Sequence, residues 1–491
     1  MSFNPTQELR RIALGGLALC LLMGCRVGPD YARPAVQVNM EWSLAEHPRL
    51  ISPSNAGEVW SLPVQDPVLD ELVCVALSEN LTLRAAGQRI IEAEHRRGAT
   101  AGSLFPQSQV VQGTFSKSSL SSTNANFIRI PGVFEPNLFP QAYSTGLAVA
   151  WELDFWGKYR RAVEVADAGL EASFAANDQV ALLLVAGVSQ AYVEMRMYEM
   201  RQVFAQQNLE IQQRTFDLTR TKFDLGLASL LDVAQAETNV GQTEALLPLL
   251  ETGRRQASNR LCLLLGRPPQ DLANVYGFTA EIPAATEQVA TAPPALLVNQ
   301  RPDVRQVERQ LAAQSARIGI AQSELYPQLS VIGQAGLSSE NFSRMFSSAS
   351  QVGMISPGFS WKILNYRRLR NTIEAEKAAF LALCQEYQHT VLRAQGEVED
   401  AQLAFVNSFD RADSLSRSAE AARISVEKAQ SLYDAGTIDF TRLYILQADL
   451  LMKQDQMAEA KAQVALEAIG LMKASGTAPS VQQPVGGGNH K

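Results

Sequence analysis

The tetrapeptide Phe223-Asp224-Leu225-Gly226 recurs 210 residues later as Tyr433-Asp434-Ala435-Gly436, and each copy lies inside a long stretch that contains no proline. These stretches run from Gln141 to Leu247 and from Gly358 to Ala478. Proline breaks helix interiors, so its absence permits very long helices, whereas glycine suits a helix end and a chain reversal. The sequence therefore predicts two long helical hairpins, each reversing at the glycine of its tetrapeptide.

Two further motifs recur in the same order. Leu104-Phe105-Pro106-Gln107 returns 221 residues later as Leu325-Tyr326-Pro327-Gln328, and Trp151 returns 210 residues later as Trp361. The shared order and nearly constant offset of the three motifs indicate an internal duplication. The change of offset predicts a longer insertion in the first copy, which we assign to the segment 119–140, rich in Ser, Asn and Pro.

Each Pro-Gln pair is followed by two segments of alternating apolar residues that a polar loop separates. Such alternation, with Gly and Ser at the turns, predicts a pair of β-strands in each copy. Four strands cannot close a barrel within one chain, because the smallest filled barrels have about eight.

The first arm of the second hairpin carries a heptad repeat, which predicts a left-handed coiled coil. Among the heptad positions only Ser408 is polar. The positions are Tyr387, Val391, Ala394, Val398, Ala401, Phe405, Ser408, Ala412, Leu415, Ala419, Ala422, Val426, Ala429 and Tyr433.

The first hairpin carries two apolar stripes on a single helix, offset by two residues, or about 200° around the helix. A two-stranded coiled coil needs one seam, so two stripes predict a neighbour on each side, as in a wall of helices that closes on itself. A helix buried in a thick bundle is the alternative. The first stripe is Phe204, Ile211, Leu218 and Leu225, and the second is Leu209, Phe216 and Phe223.

The N-terminus reads as an export signal. Arg10 and Arg11 precede a short apolar run, and Leu22-Met23-Gly24-Cys25 follows it. This pattern predicts a bacterial lipoprotein signal, cleaved before Cys25 and lipidated on that residue, with an ordinary signal peptide as the alternative. Arg26, rather than Asp, follows the cysteine and favours the outer membrane.

Composition excludes several classes of protein. The net charge of −7 and pI of about 5.4 argue against a general nucleic-acid binder. No mature segment shows the roughly 18 consecutive apolar residues of a spanning helix, so a polytopic helical membrane protein is not expected. The four histidines are scattered, and no GxSxG, HExxH or GxGxxG motif occurs. We therefore predict no enzyme, and no catalytic, cofactor-binding or metal-binding residues.

These features together resemble the TolC-like outer membrane factor family, in its lipoprotein branch, the NodT-type outer-membrane components of RND multidrug efflux systems. The resemblance covers Cys25 to about Lys473. The motifs that carry it are Val27-Gly28-Pro29-Asp30-Tyr31, Leu265-Gly266-Arg267-Pro268, Arg301-Pro302-Asp303-Val304 and the turns at Gly226/Asp232 and Gly436. The sequence departs from the family pattern at Gln300, where another Arg is frequent.

The resemblance implies a mainly α fold with a small β part, assembled as a homotrimer. Three chains would supply a 12-stranded outer-membrane β-barrel, continued by a periplasmic α-helical barrel. The implied partners are a periplasmic adaptor protein, an inner-membrane efflux pump and outer-membrane lipid, with no nucleic acid and no cofactor.

The implied domain organisation follows the duplication. We expect a signal peptide at 1–24 and an extended segment at 25–65, followed by a first repeat at 66–270 with a helix, strands at about 106–118 and 141–153 and a hairpin at about 157–265. An equatorial linker at 271–300 leads to a second repeat at 301–473, with a helix, strands at about 327–338 and 350–362 and a hairpin at about 366–472. A disordered tail is expected at 474–491.

The resemblance also implies a gate at the periplasmic end. Tyr433 and Asp232 match the family's latch partners, which predicts a hydrogen bond between them in the closed state. Where relatives often place an Asp ring, this sequence has Arg442 and Ile445. We expect an apolar collar from Ile445 and a basic ring from Arg442, with Asp439 as its candidate ion-pair partner. The alternative is that Ile445 faces the coiled-coil seam and Asp449 lines the lumen.

The function implied is an exit duct for drugs or other small toxic compounds, located in the outer membrane of a Gram-negative bacterium and extending into the periplasm. Adaptor tips would dock around Gly226 and Gly436. An outer-membrane channel of a type I protein secretion system is the runner-up. A periplasmic coiled-coil adaptor is less favoured, because adaptors carry a single hairpin.

Overall fold

The computed structural model describes residues 26–51, 62–119, 140–272, 281–290 and 293–476. The expected signal peptide, Cys25, most of the expected insertion and most of the tail lie outside the described residues. The chain divides into two compact units, which are described separately. Unit 1 draws on residues 1–34, 91–171 and 308–385, and unit 2 on residues 35–90, 172–307 and 386–491.

Long helices dominate the described chain. In order, the elements are β1 (Leu50–Ile51), α1 (Pro67–Glu79), α2 (Leu81–Gly102), β2 (Ser108–Lys117), β3 (Gln141–Leu153), α3 (Lys158–Asp224), α4 (Leu230–Leu264), β4 (Val289–Ala290), α5 (Pro294–Gln300), α6 (Pro302–Ser323), β5 (Gln328–Ser339), β6 (Gln351–Ser360), α7 (Tyr366–Asp434) and α8 (Phe440–Ser475).

Unit 1 contains a four-stranded antiparallel sheet in the order β2-β3-β5-β6. Its strands begin and end within two residues of the stretches expected from the sequence. The central pair, β3 with β5, joins the two copies of the duplication. The outer strands β2 and β6 are exposed along their whole length. Each therefore has one edge whose backbone groups pair with no other strand among the described residues.

A pair of glycines sets the spacing of the central strands. Gly146 of β3 lies opposite Gly336 of β5. A Cβ atom on Gly146 would lie 2.7 Å from the carbonyl oxygen of Ala335, and one on Gly336 would come still closer to the carbonyl oxygen of Thr145. Side chains at these two positions would force the strands apart, so the pairing requires glycine.

A repeated hydrogen bond records the duplication in unit 1. The indole Nε1 of Trp151 donates to the carbonyl oxygen of Leu104 at 3.3 Å. The indole of Trp361 donates in the same way to Leu325 at 2.9 Å. In each copy the second strand is thereby tied to the leucine that opens the Pro-Gln motif.

Unit 2 is built on an apolar core to which α1, α3, α4 and α8 contribute. Within it, the hydroxyl of Tyr192 donates to Oδ2 of Asp66 at 2.8 Å, and Asp66 also caps α1. Burial, followed by the hydrogen bond to Asp66, raises the pKa of Tyr192. The hydrogen bond therefore ties α3 to the start of α1 within this core.

Arg301, the first residue of the Arg-Pro-Asp motif, fastens the end of α8. Its guanidinium donates to the carbonyl oxygen of Ala474 at 2.8 Å, to Asp303 at 2.7 Å and to Glu397 at 2.6 Å. Burial raises the pKa of Asp303, but the hydrogen bond and charge of Arg301 outweigh burial and leave that pKa below its usual value. The motif is therefore a structural clamp that joins α6, α7 and α8.

The heptad predicted for α7 forms its packed face. Of the fourteen positions, Ala401, Leu415 and Ala422 are half-buried and the others are buried. The small side chains at this face allow close approach of neighbouring helices.

The packed face of α3 differs from the expectation. Its two apolar stripes lie half-buried or exposed, and the fully buried line between them is largely polar. Counting apolar residues located the flanks of the buried face and missed its centre. The buried positions in this part of α3 are Ala205, Asn208, Gln212, Thr215 and Thr219.

One described helix is apolar over a membrane-spanning length, although it contains no run of 18 consecutive apolar residues. Among the described helices, α3 contains one such window, by length and composition. However, 67% of this window is buried inside the protein. Burial in the protein core therefore accounts for the apolar composition of this window.

Candidate functional site at the hairpin turns

Both hairpins of unit 2 reverse in the same way. Gly226 and Gly436 adopt the left-handed conformation, with φ of +75° and +74°. At the first turn the N–H of Leu227 donates to the carbonyl oxygen of Lys222 at 2.7 Å, and at the second the N–H of Thr437 donates to Leu432 at 2.9 Å. These bonds, with those of the two glycine N–H groups, form Schellman motifs that close the long helices.

A side-chain cap starts the returning helix after each turn. Ser229 caps α4 and forms a reciprocal capping box with Asp232, whose carboxylate accepts from the Ser229 N–H at 2.9 Å. Asp439 caps α8 by accepting from the backbone N–H of Arg442 at 3.0 Å. The two turns are thus closely similar in their hydrogen bonds, although Asp232 and Arg442 occupy equivalent positions with opposite charge.

Tyr433 bonds a different partner from the one predicted. Its hydroxyl lies 2.9 Å from Oγ1 of Thr219, while the Asp232 carboxylate is engaged in its own capping box. The predicted hydrogen bond between Tyr433 and Asp232 is not formed in this structure, because local capping satisfies the carboxylate. Asp232 contributes only through its charge, which adds to the effect of burial in raising the pKa of Tyr433.

Lys222 adds a second tie at the same place. Its ammonium donates to the backbone carbonyl oxygen of Tyr433 at 2.7 Å and lies 3.8 Å from the centre of the tyrosine ring. Leu432 stands at the equivalent position of the second copy. The second copy therefore has no lysine at this position to make the equivalent contact.

The residues expected to form the constriction lie on the surface of the single chain. Arg442 is exposed and Ile445 is 58% exposed. The carboxylate of Asp439 binds the backbone of Arg442 rather than its guanidinium, so the candidate ion pair is not formed here. Asp449 is half-buried and lies 4.0 Å from the ammonium of Lys453. The exposure of Ile445 argues against its burial in the seam of this chain.

An apolar patch at the first turn was not anticipated from the sequence. Leu225, Leu227, Leu230 and Leu231 are 65–75% exposed. The second copy has Ala435, Thr437, buried Phe440 and Thr441 at these positions. We call the four leucines the leucine tip. Comparison of the two repeats would have shown this difference.

The segment that follows Cys25 is firmly held in unit 1. The buried guanidinium of Arg161 donates to the carbonyl oxygens of Val27 at 3.2 Å and Gly28 at 3.0 Å. Gly28 has a φ of +97° and packs directly on Gly319. The backbone is therefore fixed from the second residue after the predicted lipidation site.

Ion pairs occupy a cavity elsewhere in unit 2. A cavity of about 480 Å³ is lined by charged side chains that include Arg301, Asp303 and Glu397, which pair with one another. No group of three or more His, Cys, Asp or Glu residues that could hold a metal ion occurs in the described ranges.

The comparisons with known proteins agree with this geometry. A sequence profile described as outer membrane efflux protein matches residues 72–267 and 294–477. A nodulation protein T of Rhizobium leguminosarum bv. trifolii is 29% identical over 445 residues, covering 90% of this chain and 91% of the relative. The toluene efflux pump outer membrane protein TtgF of Pseudomonas putida is 26% identical over 469 residues, covering 93% and 94%.

Among solved structures, the outer-membrane channel OprN superposes with a TM-score of 0.83 at 30% identity, covering 92% of this chain and 99% of OprN. The chain therefore belongs to the outer membrane efflux protein family. This confirms the family, the outer-membrane location and the role as an exit duct of an efflux system that the sequence predicted.

Proposed function

We propose that three copies of this chain form a duct that carries drugs or other small toxic compounds from an inner-membrane pump and a periplasmic adaptor to the exterior. The observation that carries this proposal is the open sheet of unit 1. Its edge strands β2 and β6 are exposed, and each lacks a neighbour on one side within the described chain. Edge-to-edge pairing of three such sheets gives 12 strands, with no free edge left.

Exposed apolar side chains of the sheet fit a lipid environment. Val111 and Phe115 of β2 and Ile355 and Phe359 of β6 are between 57% and 80% exposed. Within each pair the residues are four positions apart, which places them on one face of the strand. We propose that this face contacts outer-membrane lipid and that lipidated Cys25 provides a second anchor.

The second part of the proposal concerns the turns at Gly226 and Gly436. We propose that they receive the adaptor and that the leucine tip supplies the apolar part of that contact. In the closed state Tyr433 and Thr219 hold the second hairpin to the first, and Asp439, Arg442 and Ile445 line the constriction near the second turn. Asp232 supports this gate by fixing the start of α4.

The proposal is tested by deleting the gene from its host and measuring accumulation of a fluorescent cationic dye. We expect the deletion strain to accumulate more dye and the reintroduced gene to restore efflux. The runner-up, a type I secretion channel, predicts unchanged dye efflux and the loss of a secreted protein from the medium. Restored secretion without restored efflux would replace the proposal by the runner-up.

A further inference from the structure

A group of basic side chains lies in unit 1, where the chain passes from β6 into α7. Arg367, Arg368 and Arg370 are exposed, and none of them forms an ion pair with another described residue. Leu369 and Ile373 are buried, so the three arginines lie on the opposite, exposed side of the helix. We call Arg367, Arg368 and Arg370 the arginine cluster.

Acidic side chains of the same region are bound elsewhere. The carboxylate of Glu374, one turn farther along α7, lies 2.9 Å from the ammonium of Lys377. Glu324 lies 2.9 Å from the ammonium of Lys158 and also pairs with Lys362. The arginine cluster therefore presents three positive charges with which no described carboxylate is paired.

The first repeat has basic residues at the same place, but it gives them acidic partners. Lys158 and Arg160 belong to the first turn of α3. The guanidinium of Arg160 lies 3.1 Å from Asp154, and the ammonium of Lys158 lies 3.4 Å from Glu152. The positive charges of the first repeat are thus neutralised within the chain.

Both of these carboxylates are absent from the second repeat. Lys362 and Leu364 stand 210 residues after Glu152 and Asp154. Leu364 is 94% exposed. The duplication therefore supplies an internal comparison, in which two similar basic helix starts differ in whether a carboxylate accompanies them.

Exposed apolar and aromatic side chains adjoin the arginine cluster. Phe359, Trp361 and Ile363 are 74%, 53% and 61% exposed. Tyr366 is also exposed, and the guanidinium of Arg370 lies 4.6 Å from the centre of its ring. Tryptophan and tyrosine are typical of the boundary between the acyl chains and the headgroups of a membrane. An apolar surface that ends in positive charge fits a lipid at that boundary.

We propose that the arginine cluster binds the headgroup of an anionic phospholipid, of the phosphatidylglycerol or cardiolipin class, with its acyl chains against the apolar side chains at the end of β6. Guanidinium groups bind phosphate oxygens through paired hydrogen bonds. Three unpaired positive charges favour a lipid of net negative charge over one whose phosphate is balanced by its own amine. In the first repeat the carboxylates of Glu152 and Asp154 compete with such a headgroup.

This inference rests on the proposed function, which embeds the sheet of unit 1 in the outer membrane and extends the hairpins into the periplasm. Residues 361–365 alone separate β6 from α7. The arginine cluster then lies at the level of the periplasmic leaflet. A lipid bound there holds the end of β6 at a fixed depth in the membrane.

The test is native mass spectrometry of the intact protein, purified in neutral detergent and titrated with tetraoleoyl cardiolipin. Arg367→Gln combined with Arg368→Gln should weaken binding about tenfold. The matched control is Arg411→Gln combined with Arg417→Gln, which removes two exposed arginines from the unit 2 part of the same helix. This control should bind cardiolipin as wild type does. An equal loss in both double variants, or a loss in neither, would overturn the proposal.

A second pair of variants leaves the arginine cluster intact. Leu364→Asp introduces the carboxylate that Asp154 supplies in the first repeat, and it should weaken cardiolipin binding several-fold. Leu364→Asn has the same shape without the charge, and it should bind more tightly than Leu364→Asp. If the arginine variants fail to assemble, this pair decides, because equal binding by the two would refute the role of the unpaired charges.

The choice of ligand is tested on the wild-type protein. Palmitoyl-oleoyl phosphatidylethanolamine should bind about tenfold more weakly than cardiolipin. Equal binding of the two lipids, or bound inorganic phosphate in place of cardiolipin when both are offered, would contradict a site for an anionic lipid. Failure of the proposed function would appear separately, as absent dye efflux with cardiolipin binding intact.

Discussion

The hydroxyl of Tyr433 lies 2.9 Å from Oγ1 of Thr219, a contact between residues 214 positions apart that joins the first arms of the two hairpins. Both side chains are buried, at 4% and 0% exposure. The bond is therefore shielded from water, and its removal changes the contact between the hairpins without disturbing either turn.

Replacement of Tyr433 by phenylalanine should favour the open gate. The variant keeps the ring and loses one buried hydrogen bond, worth about 0.5–1.5 kcal/mol per chain. Cells that carry it should become several-fold more sensitive to a large antibiotic that normally fails to cross the outer membrane. Tyr444→Phe is the control, since Tyr444 lies nearby on α8, and it should not change sensitivity. Equal sensitivity of the two variants would contradict the latch.

Acid should weaken unit 2 through Asp303. Arg301 lowers the pKa of this carboxylate in the folded protein, so the unfolded chain binds more protons at acid pH. The stabilisation is fully present above the unfolded pKa of about 3.9 and is lost as pH falls through the lower folded value. Asp303→Asn should therefore unfold more easily than wild type at pH 5, and the difference should shrink toward pH 2.

The measurement is thermal unfolding followed by circular dichroism across this pH range. Asp413→Asn, at an exposed position on α7, should match wild type throughout. A difference between Asp303→Asn and wild type that stays constant with pH would show that the charge of Asp303 does not contribute.

The glycine pair of the sheet allows a matched test within one strand. A Cβ atom on Gly336 collides with backbone of β3, whereas a Cβ atom on Gly333 meets nothing within 4 Å. Gly336→Ala should destabilise the sheet by more than about 1 kcal/mol. We expect less protein of this variant in the outer membrane by immunoblotting, with Gly333→Ala at the wild-type level. Normal amounts of both variants would argue against the required close approach.

The leucine tip should contribute to adaptor binding. Leu227→Ser combined with Leu231→Ser removes two exposed apolar side chains, and affinity for the adaptor should fall about tenfold, or about 1.4 kcal/mol. Leu249→Ser on the same helix is the control, because Leu249 is 67% exposed but lies far from the turn. Surface plasmon resonance with the purified adaptor measures both. A similar loss for the control would place the contact elsewhere.

Lipid at Cys25 is tested by Cys25→Ser with export retained. Acyl labelling with radioactive palmitate should disappear, and efflux should be weakened rather than lost, because under the proposed function the sheet of unit 1 remains embedded in the outer membrane. Labelling that persists in the variant would disprove the assignment.

The sequence predicted those features that depend on local rules. Proline-free stretches and single glycines located the hairpins and their turns, and alternation located the strands. The capping box of Ser229 and Asp232 was also visible as a Ser-x-x-Asp pattern, and considering it would have removed Asp232 from the latch.

Other features depend on contacts between distant residues and left no local signal. Thr215 pairs with Gln447, 232 residues away, so neither residue is recognisable alone as part of a buried seam. The centre of the buried face of α3 is polar rather than apolar, so the apolar periodicity of the sequence did not reveal it. The role of Arg301 as a clamp on α8 likewise becomes apparent only when residues 301 and 474 are brought together.

The central claim is that three chains form one duct, and optical recording in a droplet bilayer tests it most directly. Protein carrying one fluorophore per chain is inserted, and current and stepwise photobleaching are recorded at the same spot. With fully labelled protein, we expect each discrete conductance step to coincide with a spot that bleaches in three steps. Conductance from spots that bleach in one step, or three-step spots that never conduct, would contradict the account.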